Sequence, residues 1–227
     1  MTQDNTFSSD ITSADKAGIT PAHINDMLIQ RHGADLHRKF QSAHIAICGL
    51  GGLGSAIAIA LARAGVGKLH LIDYDKVDLS NIHRQQYDLS QIGLTKTEAL
   101  KMNIERISPC TQIITDTTYI TDENLTELLK DATIVCEAFD RAEAKAMLVN
   151  GVLEHFPDKY IVSGSGMAGI SSANTIHTRR VTKHFYLCGD ETSDIDDGLG
   201  LISSRVLVCA AHQANMILRI LAEEYEA

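Results

Sequence analysis

Short runs of consecutive apolar residues alternate along this chain with longer stretches where apolar residues recur every third or fourth position. From His44 onward the runs read as buried strands at 44–48, 68–72, near 112–119, 132–136 and 159–163. Helical patterns fill the intervals at 52–64, 95–107, 122–130 and 141–155, and a last helix at 205–223 carries Val206, Ala210, Gln213, Met216, Ile217 and Ile220. Gly65 and Gly67 stop the first of these helices, Pro109 follows the second, and Thr121 or Asp122 caps the third. Ahead of the core, 21–40 shows helical spacing through Ile24, Met27, Leu28, Leu36 and Phe40, with Gly33 separating two short helices. Residues 1–20 are polar and without period, and read as a flexible arm. The stretch 163–204 is rich in Gly, Ser and Asp and reads as irregular, with one strand at 173–178.

Strands alternating with helices predict an α/β domain over 21–227, a largely parallel sheet with helices on both faces, preceded by an N-terminal helical arm. In such sheets ligands bind beyond the carboxyl ends of the strands. One turn there is specific. Gly49, Gly51 and Gly54 fit G-x-G-x-x-G between the first core strand and its helix, and Gly52 opens that helix. The pattern allows a tight turn and brings backbone N–H groups at a helix start up to a phosphate, the Rossmann-like arrangement. Asp73 ends the next strand, where this motif places a carboxylate for ribose hydroxyls. A nucleotide is implied; its kind is not.

Composition narrows the class. At 227 residues with 44% apolar content and mean hydropathy near zero, the chain is globular. It has no apolar stretch of membrane-spanning length, and its polar start lacks a basic-then-apolar leader pattern, so a cytoplasmic protein without a membrane partner is expected. The net charge of −9 argues against non-specific nucleic-acid binding. Cys48, Cys110, Cys136, Cys188 and Cys209 form no C-x-x-C pair, and Cys48 and Cys136 lie in apolar runs as buried thiols. The histidines show no ligand spacing.

The loop after Asp73 changes the expected ligand. It is long and polar for an α/β connection and holds Asp75, Asn81 and Arg84, with Lys96 opening the next helix. Arg84 offers phosphate a planar fork of donors, or is simply a solvated loop arginine. A lysine near a helix start opposes the dipole, a cost better explained by an anionic ligand. Asp140, after the 132–136 strand, can hold Mg²⁺ beside phosphate oxygens or cap the following helix. Hydride transfer by a nicotinamide enzyme needs none of these together; nucleotidyl transfer does, because charge must be neutralised as pyrophosphate leaves.

With these residues in place the chain resembles the ThiF/MoeB/HesA family, homologous to the adenylation domain of ubiquitin-activating enzymes. The resemblance rests on Gly49-Leu50-Gly51-Gly52-Leu53-Gly54, Asp73-x-Asp75-x-Val77-x-Leu79-Ser80-Asn81-x-x-Arg84-Gln85, Lys96 and Asp140, and runs from about Arg31 to the final helix. Cys136-Glu137-Ala138-Phe139-Asp140, Ser163-Gly164-Ser165-Gly166-Met167-Ala168-Gly169 and Phe185-Tyr186-Leu187-Cys188-Gly189-Asp190 look like the short ThiF-type branch, whose members activate the sulfur carrier protein of thiamine thiazole synthesis. The resemblance implies a nucleotidyltransferase that joins the C-terminal Gly-Gly carboxylate of a small ubiquitin-like carrier to AMP. Molybdopterin-type carriers, a tRNA substrate, an NAD(P)-dependent oxidoreductase and a non-catalytic nucleotide-binding scaffold stand as alternatives. It further implies that the turn 49–54 and Asp73 bind ATP, that Asn81, Arg84 and Lys96 meet its phosphates, and that Asp140 holds Mg²⁺, with Asp75 assisting or merely solvated. Family members are homodimers in which an N-terminal arginine reaches the partner's ATP; Arg31 is the nearest candidate and Arg38 the alternative. A sulfur-donor protein is a further possible partner. Relatives with two C-x-x-C pairs hold zinc; here the first pair is reduced to Phe185-x-x-Cys188, so no zinc is expected. Cys188 is the candidate for a covalent link to the carrier, or else a remnant of the lost zinc site.

Overall fold

The computed structural model describes residues 18–227. The arm expected over 1–20 lies outside them but for its last three residues. Thr20 caps α1 (Pro21–His32): its hydroxyl accepts the His23 N–H at 3.4 Å, and the His23 ring accepts the Thr20 N–H. Pro21 at the first helical position gives up no bond, because first-turn N–H groups have no intrahelical partner. Gly33 separates α1 from α2 (Ala34–Ser42), as the sequence predicts.

The core then runs β1 (His44–Cys48), α3 (Gly52–Arg63), β2 (Lys68–Ile72), α4 (Lys96–Ile107), β3 (Gln112–Asp116), α5 (Leu125–Leu129), β4 (Ile134–Glu137), α6 (Ala142–His155), β5 (Tyr160–Gly164), β6 (His177–Arg180), β7 (Phe185–Gly189) and α7 (Ser203–Leu221). The seven strands form one sheet in the order β3-β2-β1-β4-β5-β7-β6, parallel throughout except that β6 pairs antiparallel with β7. The expected α/β sheet with helices on both faces is what forms. Successive strand residues point to opposite faces. Ile45 and Ile47 therefore join one apolar cluster with α3, α4 and α7, while Ala46 and Cys48 join another with α5 and α6. No described helix is long and apolar enough to cross a membrane.

One stretch corrects the sequence reading. The segment 163–204 is not irregular: it holds the β6–β7 hairpin, and the strand expected at 173–178 begins only at His177, after a 3-10 turn at Ala173–Thr175. The strand signal of β7 is five residues long and set among turn formers. Its pairing with β5 is a long-range contact that local pattern does not carry.

The order of strands fixes where a ligand can sit. From β1 the chain turns to β2 on one side, and β4 pairs on the other. The crevice at the carboxyl ends of β1 and β4 is the switch point at which such sheets bind ligands.

Candidate functional site

The glycine turn follows β1 into that crevice. Gly49 donates its N–H to Ile72 O at 2.9 Å and takes a φ of 92°. A Cβ there would lie 2.8 Å from Ala138 O at the end of β4, so both backbone conformation and space demand glycine. At Gly54 a Cβ would stand 1.8 Å from Gly49 O, which means that α3 begins directly against the turn. Gly51 is the cap residue of α3 and supplies no side-chain bond to the first turn. Those N–H groups, at the positive end of the helix, are left for an anion.

Behind the turn sits a latch of three charged groups. Asp73 is buried, its Oδ2 accepting the Leu50 N–H at 2.6 Å and its Oδ1 the Asp75 N–H at 2.8 Å. Lys96 is also buried; its Nζ lies 2.7 Å from Asp75 Oδ2 and 3.8 Å from Asp73 Oδ2. Two of the residues read as nucleotide contacts thus hold the turn in shape as well, with Asp73 bonded to its backbone and Lys96 neutralising both carboxylates.

The loop carrying Arg84 is stitched to the same turn. Ser55 on α3 donates its hydroxyl to Gly51 O at 2.6 Å and accepts the Gln86 N–H at 3.1 Å, and the Tyr87 hydroxyl donates to Leu50 O at 2.7 Å. Arg84 is half-buried between them, donating to Asn81 Oδ1 at 2.7 Å. Its Nε and the neighbouring Gln85 Oε1 are buried with no hydrogen-bond partner among the described residues. Burial pulls the Arg84 guanidinium below its ordinary value, and the charge of Asp140 opposes this. Asp140 itself is exposed. Among the described residues no three His, Cys, Asp or Glu side chains are grouped to hold a metal ion. A single carboxylate suits Mg²⁺ that arrives on phosphate oxygens, so Asp140 fits a metal carried by the nucleotide. Tyr74 stands beside this group, its phenol pushed up by Asp75, by burial and then by Asp140 and Asp73, and its ring meets Tyr119 edge-on at 5.1 Å.

Sequence reasoning passed over one cluster as chemistry. Glu137, the last residue of β4, is fully buried. Its carboxylate accepts the Phe139 N–H at 2.6 Å, Lys145 Nζ at 3.1 Å on both oxygens, and the Ser163 hydroxyl. A carboxylate ending an apolar strand needs a buried cation, and that requirement is the signal that points to Lys145.

The remaining predicted residues lie elsewhere. Cys188 is in β7, not in an irregular segment, and is buried; burial pushes its thiol up to about 11, against a smaller opposing effect of the Thr178 hydroxyl. A thiol that stays protonated at neutral pH is not a ready nucleophile. Arg31 is exposed on α1 and Arg38 on α2, where Arg38 is paired with Asp35 at 2.8 Å.

Comparison with known proteins adds the following. The ThiF family is matched over residues 24–227. The chain is 30% identical over 146 residues to the adenylyltransferase and sulfurtransferase MOCS3 of Aedes aegypti, covering 64% of this chain and 33% of that protein. It is 37% identical over 142 residues to the tRNA threonylcarbamoyladenosine dehydratase of Haemophilus influenzae, covering 58% and 54%. The chain thus spans roughly a third to a half of the length of these curated relatives. The fold is similar to that of E. coli tRNA N6-threonylcarbamoyladenosine dehydratase in complex with ATP, with TM-score 0.81 and 21% identity over 90% of this chain and 97% of that one.

Proposed function

The chain belongs to the ThiF family, and from that premise we propose that it is an ATP-dependent adenylyltransferase that activates a substrate carboxylate. The observation that carries this reading is Arg84: a half-buried guanidinium whose Nε has no partner among the described residues, beside an uncapped helix N-terminus. Such a set matches a polyphosphate, whose leaving charge must be neutralised in place. The names of its relatives and the fold it shares with an ATP-bound protein support the same chemistry.

In this reaction a carboxylate oxygen attacks the α-phosphorus of ATP, the bond from that phosphorus to the bridging oxygen breaks, and pyrophosphate leaves. The first-turn N–H groups of α3 and the Arg84 fork hold the phosphates. Asn81 fixes the rotamer of Arg84. Asp73, through Leu50, sets the shape of the turn and offers its remaining lone pairs to the ribose, while Lys96 balances the acidic pair. Asp140 would hold Mg²⁺, which would supply positive charge for the leaving pyrophosphate. The protein's work is alignment and charge neutralisation. Cys188, buried in β7, is left out of the reacting groups.

For the acyl partner we favour the C-terminal Gly-Gly carboxylate of a ubiquitin-like sulfur carrier, including a thiamine-type one, since the net charge of −9 does not suit a polyanion. A tRNA-borne carboxylate is the second reading, favoured by the 37% identity to the Haemophilus enzyme. We further propose a homodimer in which Arg31, unlike Arg38 without an ion pair among the described residues, reaches the partner's nucleotide from α1. That helix leaves Met27 and Ile29 exposed.

ATP–pyrophosphate exchange, run with Gly-Gly-tailed carriers in one arm and tRNA in another, tests the reading. Stimulation by either identifies the substrate class. ATP–Mg binding by calorimetry with no exchange in any arm would sink the reaction, and binding of NAD in place of ATP would restore the oxidoreductase alternative.

A further inference from the structure

We propose that Glu137 and Lys145 are positioning residues that hold the turn carrying Asp140 in place for the metal–nucleotide complex. The inference rests on the role proposed above for Asp140. Taking the Glu137 carboxylate fully out of water beside a part-exposed Lys145 costs desolvation that an apolar pair of similar size avoids, so stability alone is a poor reason for it. Here every bond of the pair converges on one point of the rim. Glu137 Oε1 accepts the N–H of Phe139, the residue before Asp140, at 2.6 Å. Lys145, one turn into α6, meets both carboxylate oxygens and also donates to Gly164 O at the end of β5 at 2.8 Å. Ser163 of β5 donates its hydroxyl to the same carboxylate, and Gln213 of α7 donates its Nε2 to Glu137 O at 2.9 Å. Two strand ends and two helices thus fix the backbone at 137–139 from behind. From the front it abuts the glycine turn, since Ala138 O stands where a Cβ on Gly49 would have to go. Asp140 is the next residue after this held segment.

Acting through a metal-holding carboxylate, such outer groups are worth about tenfold or more in metal affinity or activity. Replacing both charges together, E137Q with K145M, avoids leaving a lone buried charge. In this variant the Mg²⁺ concentration for half-maximal ATP binding, read by calorimetry, should rise about tenfold, while ATP affinity in EDTA stays unchanged. Adding D140N should then cost no more than D140N alone, because both act through one group. K145R should restore most of the metal dependence. An unchanged Mg²⁺ half-saturation in the folded variant, or an effect that multiplies with D140N, overturns the proposal, as either would leave only a structural role. If the paired variant does not fold, S163A decides: a smaller rise in the same direction supports the proposal and no change overturns it. Because binding is read without an acyl substrate, a wild-type chain that binds Mg–ATP but exchanges with nothing refutes the proposed reaction and not the positioning role.

Discussion

At the scale of the residue, the site divides into groups that face the crevice and groups that hold it. Arg84 and Asp140 face it. Arg84→Ala should lower kcat/KM for pyrophosphate exchange by about 10²–10³-fold, in line with loss of one preorganised charge-stabilising donor, with a melting temperature close to that of the wild type. Asp140→Ala should do the same and abolish the response to added Mg²⁺. Normal exchange in either variant removes that residue from the mechanism. Cys188 is the opposite case. Cys188→Ala should keep exchange within about threefold and cost roughly 1 kcal/mol in urea unfolding from the lost sulfur contacts, and the native thiol should resist alkylation. Sequence could supply the identities of Asp73 and Asp140 because each ends or follows an apolar run, and of Arg84 because it sits in the long polar loop after Asp73. It could not supply the burial of Cys188 or the latch made by Lys96 with Asp75, since both depend on what another segment brings alongside.

At the scale of the element, α3 matters most. Its start is pressed against Gly49, and Gly54→Ala would put a methyl group 1.8 Å from Gly49 O. Relief requires moving the helix, so the variant should lose about 2–4 kcal/mol of stability and its ATP binding with it, measured by thermal melting with and without Mg–ATP. Strands β1 and β2 were legible as short apolar runs, the second broken only by His70, and α3 and α4 as periodic patterns closed by Gly or followed by Pro. The hairpin of β6 and β7 was not. Short strands at a sheet edge owe their existence to partners distant in sequence, and the Gly and Ser residues around them read locally as loop.

At the scale of the whole molecule, a second buried ion pair ties the far end of the sheet together. Arg205 at the start of α7 pairs with Asp190 after β7 and donates to Ser171 O and Ser172 O, each at 2.7 Å. Burial alone would raise the Asp190 carboxyl. The N–H groups of Ser193 and Thr192, the Ser193 hydroxyl and Arg205 outweigh it and hold the group at about 2. The unfolded chain, with its carboxyl near the ordinary ~3.9, binds more protons over that interval. Stability from this group is therefore complete above pH ~4 and falls as the pH drops toward 2. Asp190→Asn should lower stability at neutral pH by about 1–3 kcal/mol and flatten the acid limb between pH 4 and 2. Urea unfolding across that range checks both, and an unaltered acid limb refutes the assignment.

The sequence by itself determined the strand–helix alternation, the glycine turn at a strand's carboxyl end, and the charged residues at fixed offsets from it. The strands, helices and turn are encoded within a few residues each, where backbone sterics and hydrophobic period act directly, and each charged residue is marked by its place after a strand or at a helix start. The tertiary structure alone decided that Asp73 bonds the turn it was expected only to accompany, that Arg84 is half-buried on Asn81, and that Glu137 and Lys145 stand behind the residue before Asp140. Those relations arise because the sheet order sets β1 beside both β2 and β4. Residues scores of positions apart in the chain are brought to one rim, and a buried charge there must be met by whichever partner the packing delivers.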